Sequence, residues 1–176
     1  MAGRLLNKVA LVTGAGPVAS GWGNGKATAR ESAKIFAADI DFGAAEETCR
    51  IIAEEGGTAV PFQADVTKNA SVRTMVAACL DSFDRIDILH NNVGGSVPGG
   101  PVDMPEEVFD QQIEFNLKSV FLTCKHAIPV MQRQAGGAII NVASLAAIRH
   151  TGHYHYAYEA AKAGLMHYTR TMAVEY

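Results

Sequence analysis

The sequence has no basic run and little net charge. Its 15 lysines and arginines stand against 18 aspartates and glutamates, a net charge of −3. That balance offers no electrostatic footprint for nucleic acid or an anionic membrane surface. Long apolar runs are missing too. Val9-Ala10-Leu11-Val12 is typical, far short of a membrane span. Gly14 and Gly16 interrupt any secretory-type apolar segment near the N-terminus. Neither a membrane nor nucleic acid is therefore expected as a partner. Cysteine is scarce: Cys49, Cys79 and Cys124 are an odd, widely spaced set. They fit reduced thiols of a cytoplasmic protein better than a disulfide framework. His150, His153 and His155 cluster, but no cysteine or carboxylate pattern completes a ligand set, so no metal is expected.

What is present fits an ordinary globular protein, with 48% hydrophobic and 19% charged residues. A length of 176 residues suits one domain. Short apolar runs at Lys8–Thr13, Lys34–Ala38, Thr58–Gln63, Ile86–Asn91 and Ala138–Ala143 read as buried strands. Longer amphipathic segments at Ala44–Glu55, Ser71–Phe83, Pro105–Gln134 and Tyr156–Val174 read as helices. Strand–helix alternation predicts an α/β fold with a doubly wound parallel sheet, covered on both faces. The glycine- and proline-rich stretch Gly94–Pro101 follows a strand, as an active-site loop would.

Two patterns carry chemistry. Lys8–Thr13 leads into Gly14-Ala15-Gly16, and Gly23 and Gly25 follow before a short helix over Lys26–Ala33. A strand, a glycine-rich turn and a helix N-terminus make an anion site, because backbone N–H groups can approach a phosphate closely. The second pattern is Tyr158-Glu159-Ala160-Ala161-Lys162, the chain's only Tyr-x-x-x-Lys. On a helix, positions four apart share a face. An ammonium held beside a phenol favours the phenolate, which makes tyrosine a usable proton donor and acceptor. Ser144, 14 residues before Tyr158, closes the fifth strand and can bond a substrate oxygen. Asp39 closes the second strand. There it can accept bonds from the ribose hydroxyls of NAD and repel the 2′-phosphate of NADP. The alternative for Asp39 is a cap on the next helix, a task for which Asp41 stands better placed. Asp65 has an alternative of the same kind, as a cap for the helix around Ser71.

These pieces, in order from Thr13 to Lys162, resemble the short-chain dehydrogenase/reductase family, and the match runs from Lys8 to Tyr176. The resemblance implies a Rossmann-like domain over residues 1–176, with five of the family's seven strands, incomplete at its C-terminus. It implies Gly14, Gly16, Gly23, Gly25, Asp39, Asp65, Val66, Asn92, Gly94, Tyr158 and Lys162 as cofactor contacts, with Asp65 beside the adenine. Asn91 and Asn92 would pin neighbouring strands, and Gly94 would leave room for the cofactor ribose. Lys162 would also hold the nicotinamide ribose, and Asn116 would bend its helix and hold a water in a proton relay. Ser144, Tyr158, Lys162 and Asn116 would be the catalytic set. Val93 stands where the family pattern has alanine, and Ala143 where many relatives have a second serine. Gly23 and Gly25 come later than in the commonest form of the turn.

The function so implied is NAD-dependent, less readily NADP-dependent, oxidoreduction of a small secondary alcohol or ketone. The alternative is a catalytically silent truncated chain that binds dinucleotide weakly or acts through subunit contacts. His150, His153, Tyr154 and Tyr156 are expected at a polar substrate mouth. The small residues Ala160, Ala161, Ala163 and Gly164 on the last helix suggest a homodimer or homotetramer.

Overall fold

Every residue of β1 (Val9–Thr13) is buried, and all of β2 (Lys34–Asp39) except its two ends. In an extended chain successive side chains point to opposite faces. Val9, Leu11, Phe36 and Ala38 therefore enter one core, while Ala10, Val12, Ile35 and Ala37 enter another. Such unbroken apolar runs suit a parallel sheet buried on both sides. The computed structural model describes residues 5–16 and 33–176. Gly23, Gly25 and residues 26–32 of the expected helix lie outside the described residues.

The remaining elements follow in chain order. They are α1 (Phe42–Glu54), β3 (Thr58–Gln63), α2 (Asn69–Phe83), β4 (Ile88–Asn91) and α3 (Glu106–Ile113). A π-turn (Glu114–Lys118), α4 (Ser119–Arg133), β5 (Ala138–Asn141), a 3-10 turn (Leu145–Ala147) and α5 (Tyr156–Glu175) complete the chain. The sheet is five-stranded and parallel, in the order β3-β2-β1-β4-β5. The chain leaves β1 toward β2 on one side and later enters β4 on the other. This reversal is the switch point at which open α/β sheets bind ligands, outside the carboxyl ends of the strands. Among the described residues, no helix is long and apolar enough to cross a membrane.

Three of the boundaries that move do so for a visible reason. β4 begins at Ile88 rather than Ile86. The Ile86 backbone is taken by the Gln134 side chain, whose Oε1 accepts from Ile86 N at 3.0 Å and whose Nε2 donates to Ile86 O at 2.9 Å. β5 ends at Asn141 rather than Ala143, and the Val142 carbonyl accepts from Lys162 instead of a strand. The single helix expected over Pro105–Gln134 is interrupted where Ser119 N donates to Glu114 O, five residues back. Such π-turns are rare and concentrate at functional sites.

The two sheet edges differ from the centre. β5 pairs only with β4 among the described residues, and Ile140 on it is 49% exposed. Beside it, Ile128, Met131, Ile139, Met172 and Tyr176 help line an apolar groove of about 540 Å³.

Candidate active site

The described portion of the glycine turn leaves β1 at Gly14, whose φ of +63° suits glycine. A Cβ there would also lie 3.0 Å from Val93 Cγ2, so the turn and the segment after β4 pack backbone to side chain. Asn92 Nδ2 donates to Gly14 O at 2.9 Å. Asn91 ties the strands more deeply. Its Nδ2 donates to Asn141 Oδ1 at 2.8 Å, its Oδ1 accepts from Thr123 Oγ1 at 2.7 Å, and Asn141 Nδ2 donates to Thr169 Oγ1 at 3.0 Å. β4, β5, α4 and α5 are thus joined by one polar chain, buried at Asn91 and Thr123.

A cleft of about 170 Å³ lies over the carboxyl ends of β1 to β4. Gly14, Gly16 and Asp39 line one side, and Asp65, Val66, Asn92 and Gly94 line the other. The exposed Ile40 and the half-buried Phe115, neither singled out in the sequence, also line it. The groove beside β5 is larger, but it holds no cluster of chemically active side chains. The cleft is the site because its lining, Phe115 of the π-turn apart, comes from the carboxyl ends of β1 to β4 and the residues just after them.

Asp39 is half-buried here. Its Oδ2 accepts from Gly16 N at 2.9 Å and its Oδ1 from Asp41 N at 3.1 Å. Capping of α1 falls to Asp41, whose Oδ1 accepts from Ala44 N at 3.3 Å. Asp65 does not cap the following helix, contrary to the alternative reading. Its Oδ1 accepts from Thr67 N at 2.9 Å and Thr67 Oγ1 at 2.7 Å. An aspartate bonds its own backbone two residues on more readily than a more distant helix. Ser71 Oγ instead reaches back to accept from Asp65 N at 3.0 Å, and α2 starts earlier, at Asn69.

The second half of the site stands on α5. Lys162 is 2% exposed. Its Nζ lies 5.8 Å from the Tyr158 ring centroid, over the ring, and donates to Val142 O at 2.8 Å. Burial pushes the Lys162 ammonium below its ordinary pKa. Asn116, fully buried in the π-turn, is held on three sides. Its Oδ1 accepts from Gly95 N at 3.1 Å, and its Nδ2 donates to Gly95 O at 2.9 Å and Gln112 O at 3.0 Å. A Cβ on Gly94 would meet Lys162 Nζ at 2.9 Å and Asn116 Oδ1 at 3.2 Å. The room that the resemblance reserves at Gly94 for a ribose is thus bordered by the lysine and the asparagine. Lys162, Asn116 and Gly94 come together, and Tyr158 stands beside them.

Ser144 caps the 3-10 turn, its Oγ accepting from Ala146 N at 3.2 Å. That turn packs against α5. Gly99 N donates to Tyr154 O at 2.8 Å, so the loops after β4 and β5 meet across the mouth. Tyr154 and Tyr156 stack at 6.3 Å between centroids, and His150 Nδ1 stands 3.8 Å from Glu159 Oε1. The sequence reading missed Thr48, which donates to Ala15 O at 2.8 Å. Its signal was a hydroxyl within the otherwise apolar buried stripe Ala45, Thr48, Cys49 and Ile52. All three cysteines are free and buried.

Comparison with known proteins agrees with this fold. The family model described as enoyl-(acyl carrier protein) reductase matches residues 18–176. The chain is 38% identical over 177 residues to the uncharacterized oxidoreductase YxbG of Bacillus subtilis, covering 99% of this chain and 63% of that protein. It is 37% identical over 176 residues to D-beta-hydroxybutyrate dehydrogenase of Rhizobium meliloti, covering 97% of this chain and 66% of the relative. It therefore spans roughly two thirds of such curated relatives. A crystal structure of a short-chain dehydrogenase/reductase from Burkholderia xenovorans superposes with a TM-score of 0.96 at 47% identity, covering 99% of this chain and 71% of that one. A 7 alpha-hydroxysteroid dehydrogenase complexed with NADH and 7-oxo glycochenodeoxycholic acid superposes at 0.88 with 30% identity, covering 98% and 66%. Fold and relatives agree, and the chain belongs to the short-chain dehydrogenase/reductase family.

Proposed function

We propose that the protein is an NAD-dependent oxidoreductase that interconverts a small secondary alcohol and its ketone. The observation that carries this reading is the meeting of Lys162, Asn116 and Gly94 beside Tyr158, next to the switch-point cleft. The cleft suits a dinucleotide. Its glycine turn brings backbone close to where a pyrophosphate would lie, and its acid stands at the end of β2. Gly14, Gly16, Asn92 and Gly94 would hold the cofactor's backbone-facing parts, Asp39 the adenosine ribose, and Asp65 and Val66 the adenine. When bound, the nicotinamide supplies or accepts the hydride.

The chain's own residues do the rest. Ser144 donates a hydrogen bond to the substrate oxygen and orients it. Tyr158 gives that oxygen a proton in reduction and removes one in oxidation. Lys162, as the ammonium, favours the phenolate that forms in reduction and draws Tyr158 toward its role. Its bond to Val142 O holds the ammonium in place. Asn116 fixes Gly95 and would steady a water linking Lys162 to solvent. The stacked pair Tyr154 and Tyr156 and the exposed His150 and His153 frame a polar substrate mouth. Relatives named for hydroxybutyrate and hydroxysteroid oxidation support a secondary alcohol as the reacting group. The free, buried cysteines fit a reducing, cytoplasmic setting, and the small residues of α5 fit pairing into a homodimer or homotetramer.

A second reading, a chain that binds dinucleotide without turnover, is favoured by β5, which has one strand partner among the described residues, and by the groove beside it. One measurement tests the cofactor and a second separates the readings. Calorimetric titration is expected to give tighter binding of NADH than NADPH, because Asp39 carries the only charge at the ribose end of the described cleft. Equal or tighter NADPH binding would overturn the cofactor assignment. A panel of secondary alcohols is expected to yield NADH absorbance. Tight NADH binding with no turnover on any of them would favour the second reading.

A further inference from the structure

Two consecutive peptide units of the glycine turn are clamped at both ends. In the first, Gly14 O accepts from Asn92 at 2.9 Å while Ala15 N donates to Ala38 O at 3.2 Å. In the second, Ala15 O accepts from Thr48 Oγ1 at 2.8 Å while Gly16 N donates to Asp39 Oδ2 at 2.9 Å. A peptide unit is planar, so holding its carbonyl and its N–H fixes the whole plane. Three of these anchors come from strand ends beside the cleft. The fourth, Thr48, comes from the middle of α1.

Thr48 is an odd choice for its place. It is 5% exposed and sits among Ala45, Cys49 and Ile52 on the core face of α1. Valine would fill the same volume and is equally β-branched. A helical threonine commonly turns its hydroxyl to a carbonyl of its own helix, three or four residues back. This one reaches a carbonyl 33 residues away in sequence. Packing does not require the hydroxyl, but the Ala15 carbonyl does. Without a donor that carbonyl would be buried and unpaired, and a rotation of the peptide plane would relieve it by turning the oxygen toward the cleft. A carbonyl oxygen facing the cleft repels an anionic pyrophosphate.

We propose that Thr48 is a positioning residue for dinucleotide binding. It keeps the Ala15 carbonyl turned into the protein, so that this oxygen does not face the phosphates. The inference rests on the dinucleotide reading above and goes beyond it by assigning a residue outside the cleft.

The test compares the wild-type chain, Thr48→Val and Thr48→Ser, well below their melting temperatures. NADH and ADP-ribose are titrated by calorimetry, and adenosine by ligand-observed NMR. Thr48→Val is expected to weaken NADH and ADP-ribose about tenfold, the order of effect of one buried polar group left unpaired. Thr48→Ser, which keeps the donor, is expected to stay within about twofold of wild type. Adenosine, which has no phosphate, should bind all three alike. If Thr48→Val does not fold, Thr48→Cys replaces it with the same expectation, since a thiol is only a weak donor. Wild-type affinity for NADH in the Val or Cys variant overturns the inference. So does an equal loss for adenosine, or failure of the Ser variant to recover. A wild-type chain that does not bind NADH overturns the dinucleotide reading instead.

Discussion

β4 and β5 are neighbours of equal length, and they carry the two halves of the site under unlike conditions. All four residues of β4 are buried, while β5 alternates exposed and half-buried residues. β4 has a strand on each side, its last residue is bonded by Asn141 of β5 and Thr123 of α4, and the turn after it is held by Asn116 of the π-turn and Gln112 of α3. β5 has one strand partner among the described residues. Its continuation, Ser144 and the loop to Tyr156, is mostly exposed or half-buried. On the proposed reading, the cofactor end is built into the double-sided core and the substrate end stands at the sheet's rim. Positions proposed to hold a phosphate then sit where packing and hydrogen bonds over-determine them, and positions proposed to admit a substrate sit where fewer contacts hold the chain.

The sharpest separation of the halves is expected from Tyr158→Phe. In any active form of the protein, turnover should fall by ~10²-fold or more, the effect of losing a general acid/base. NADH affinity, read by calorimetry, should hardly change. A near-wild-type rate in that variant, with loss in Tyr154→Phe or Tyr156→Phe, would move the chemistry to another tyrosine.

Stability offers the next contrast. Leu89 on β4 is 0% exposed and Ile140 on β5 is 49% exposed. Leu89→Ala should cost about 2–5 kcal/mol, and Ile140→Ala roughly 1 kcal/mol or less, in urea unfolding. Equal costs would mean that the β5 face is covered in solution, by association of chains or otherwise, and would erase the contrast.

A smaller effect lies just before β4. Asp87 is 7% exposed. Burial alone would raise its pKa, but hydrogen bonds from Arg85 and from Val9 N, with the charges of Arg85 and Lys8, hold it below the ordinary carboxylate value. A carboxyl whose folded pKa is depressed adds stability above its unfolded pKa, and loses it as pH falls through the folded value. Unfolding free energy should therefore decline with acid below about pH 4. Asp87→Asn should be less stable at neutral pH and show a shallower acid decline. An unchanged acid slope would remove Asp87 from the account of how β4 is anchored to β1.

Much of this arrangement was legible in the residues. Alternating apolar runs placed all five strands, because a buried parallel strand has to be apolar on both faces. Tyr158 and Lys162 were legible as a pair because a helix brings residues four apart onto one face wherever it is packed. Asp41 was legible as a cap, since capping is a local bond. Asp65 was misread as a cap by one of its two readings, because Thr67 lies nearer than the helix and competes for the same oxygen. Thr48 could not be assigned, since its partner is far away in sequence and nothing in the intervening residues marks the pair.

By itself, then, the sequence determined what depends on near neighbours among the described residues: strand and helix identity, the Tyr158–Lys162 pair, the start of the glycine turn at Gly14 and the acid at the end of β2. The tertiary structure alone decided what depends on residues meeting from afar. It set Lys162 and Asn116 against Gly94, gave the π-turn its bonds to Gly95, joined Asn91 to Asn141 and Thr123, and tied Ala15 to Thr48. The physical reason is range. Backbone geometry and side-chain periodicity act over a few residues. A buried polar group must find its partner wherever the packed chain happens to bring one.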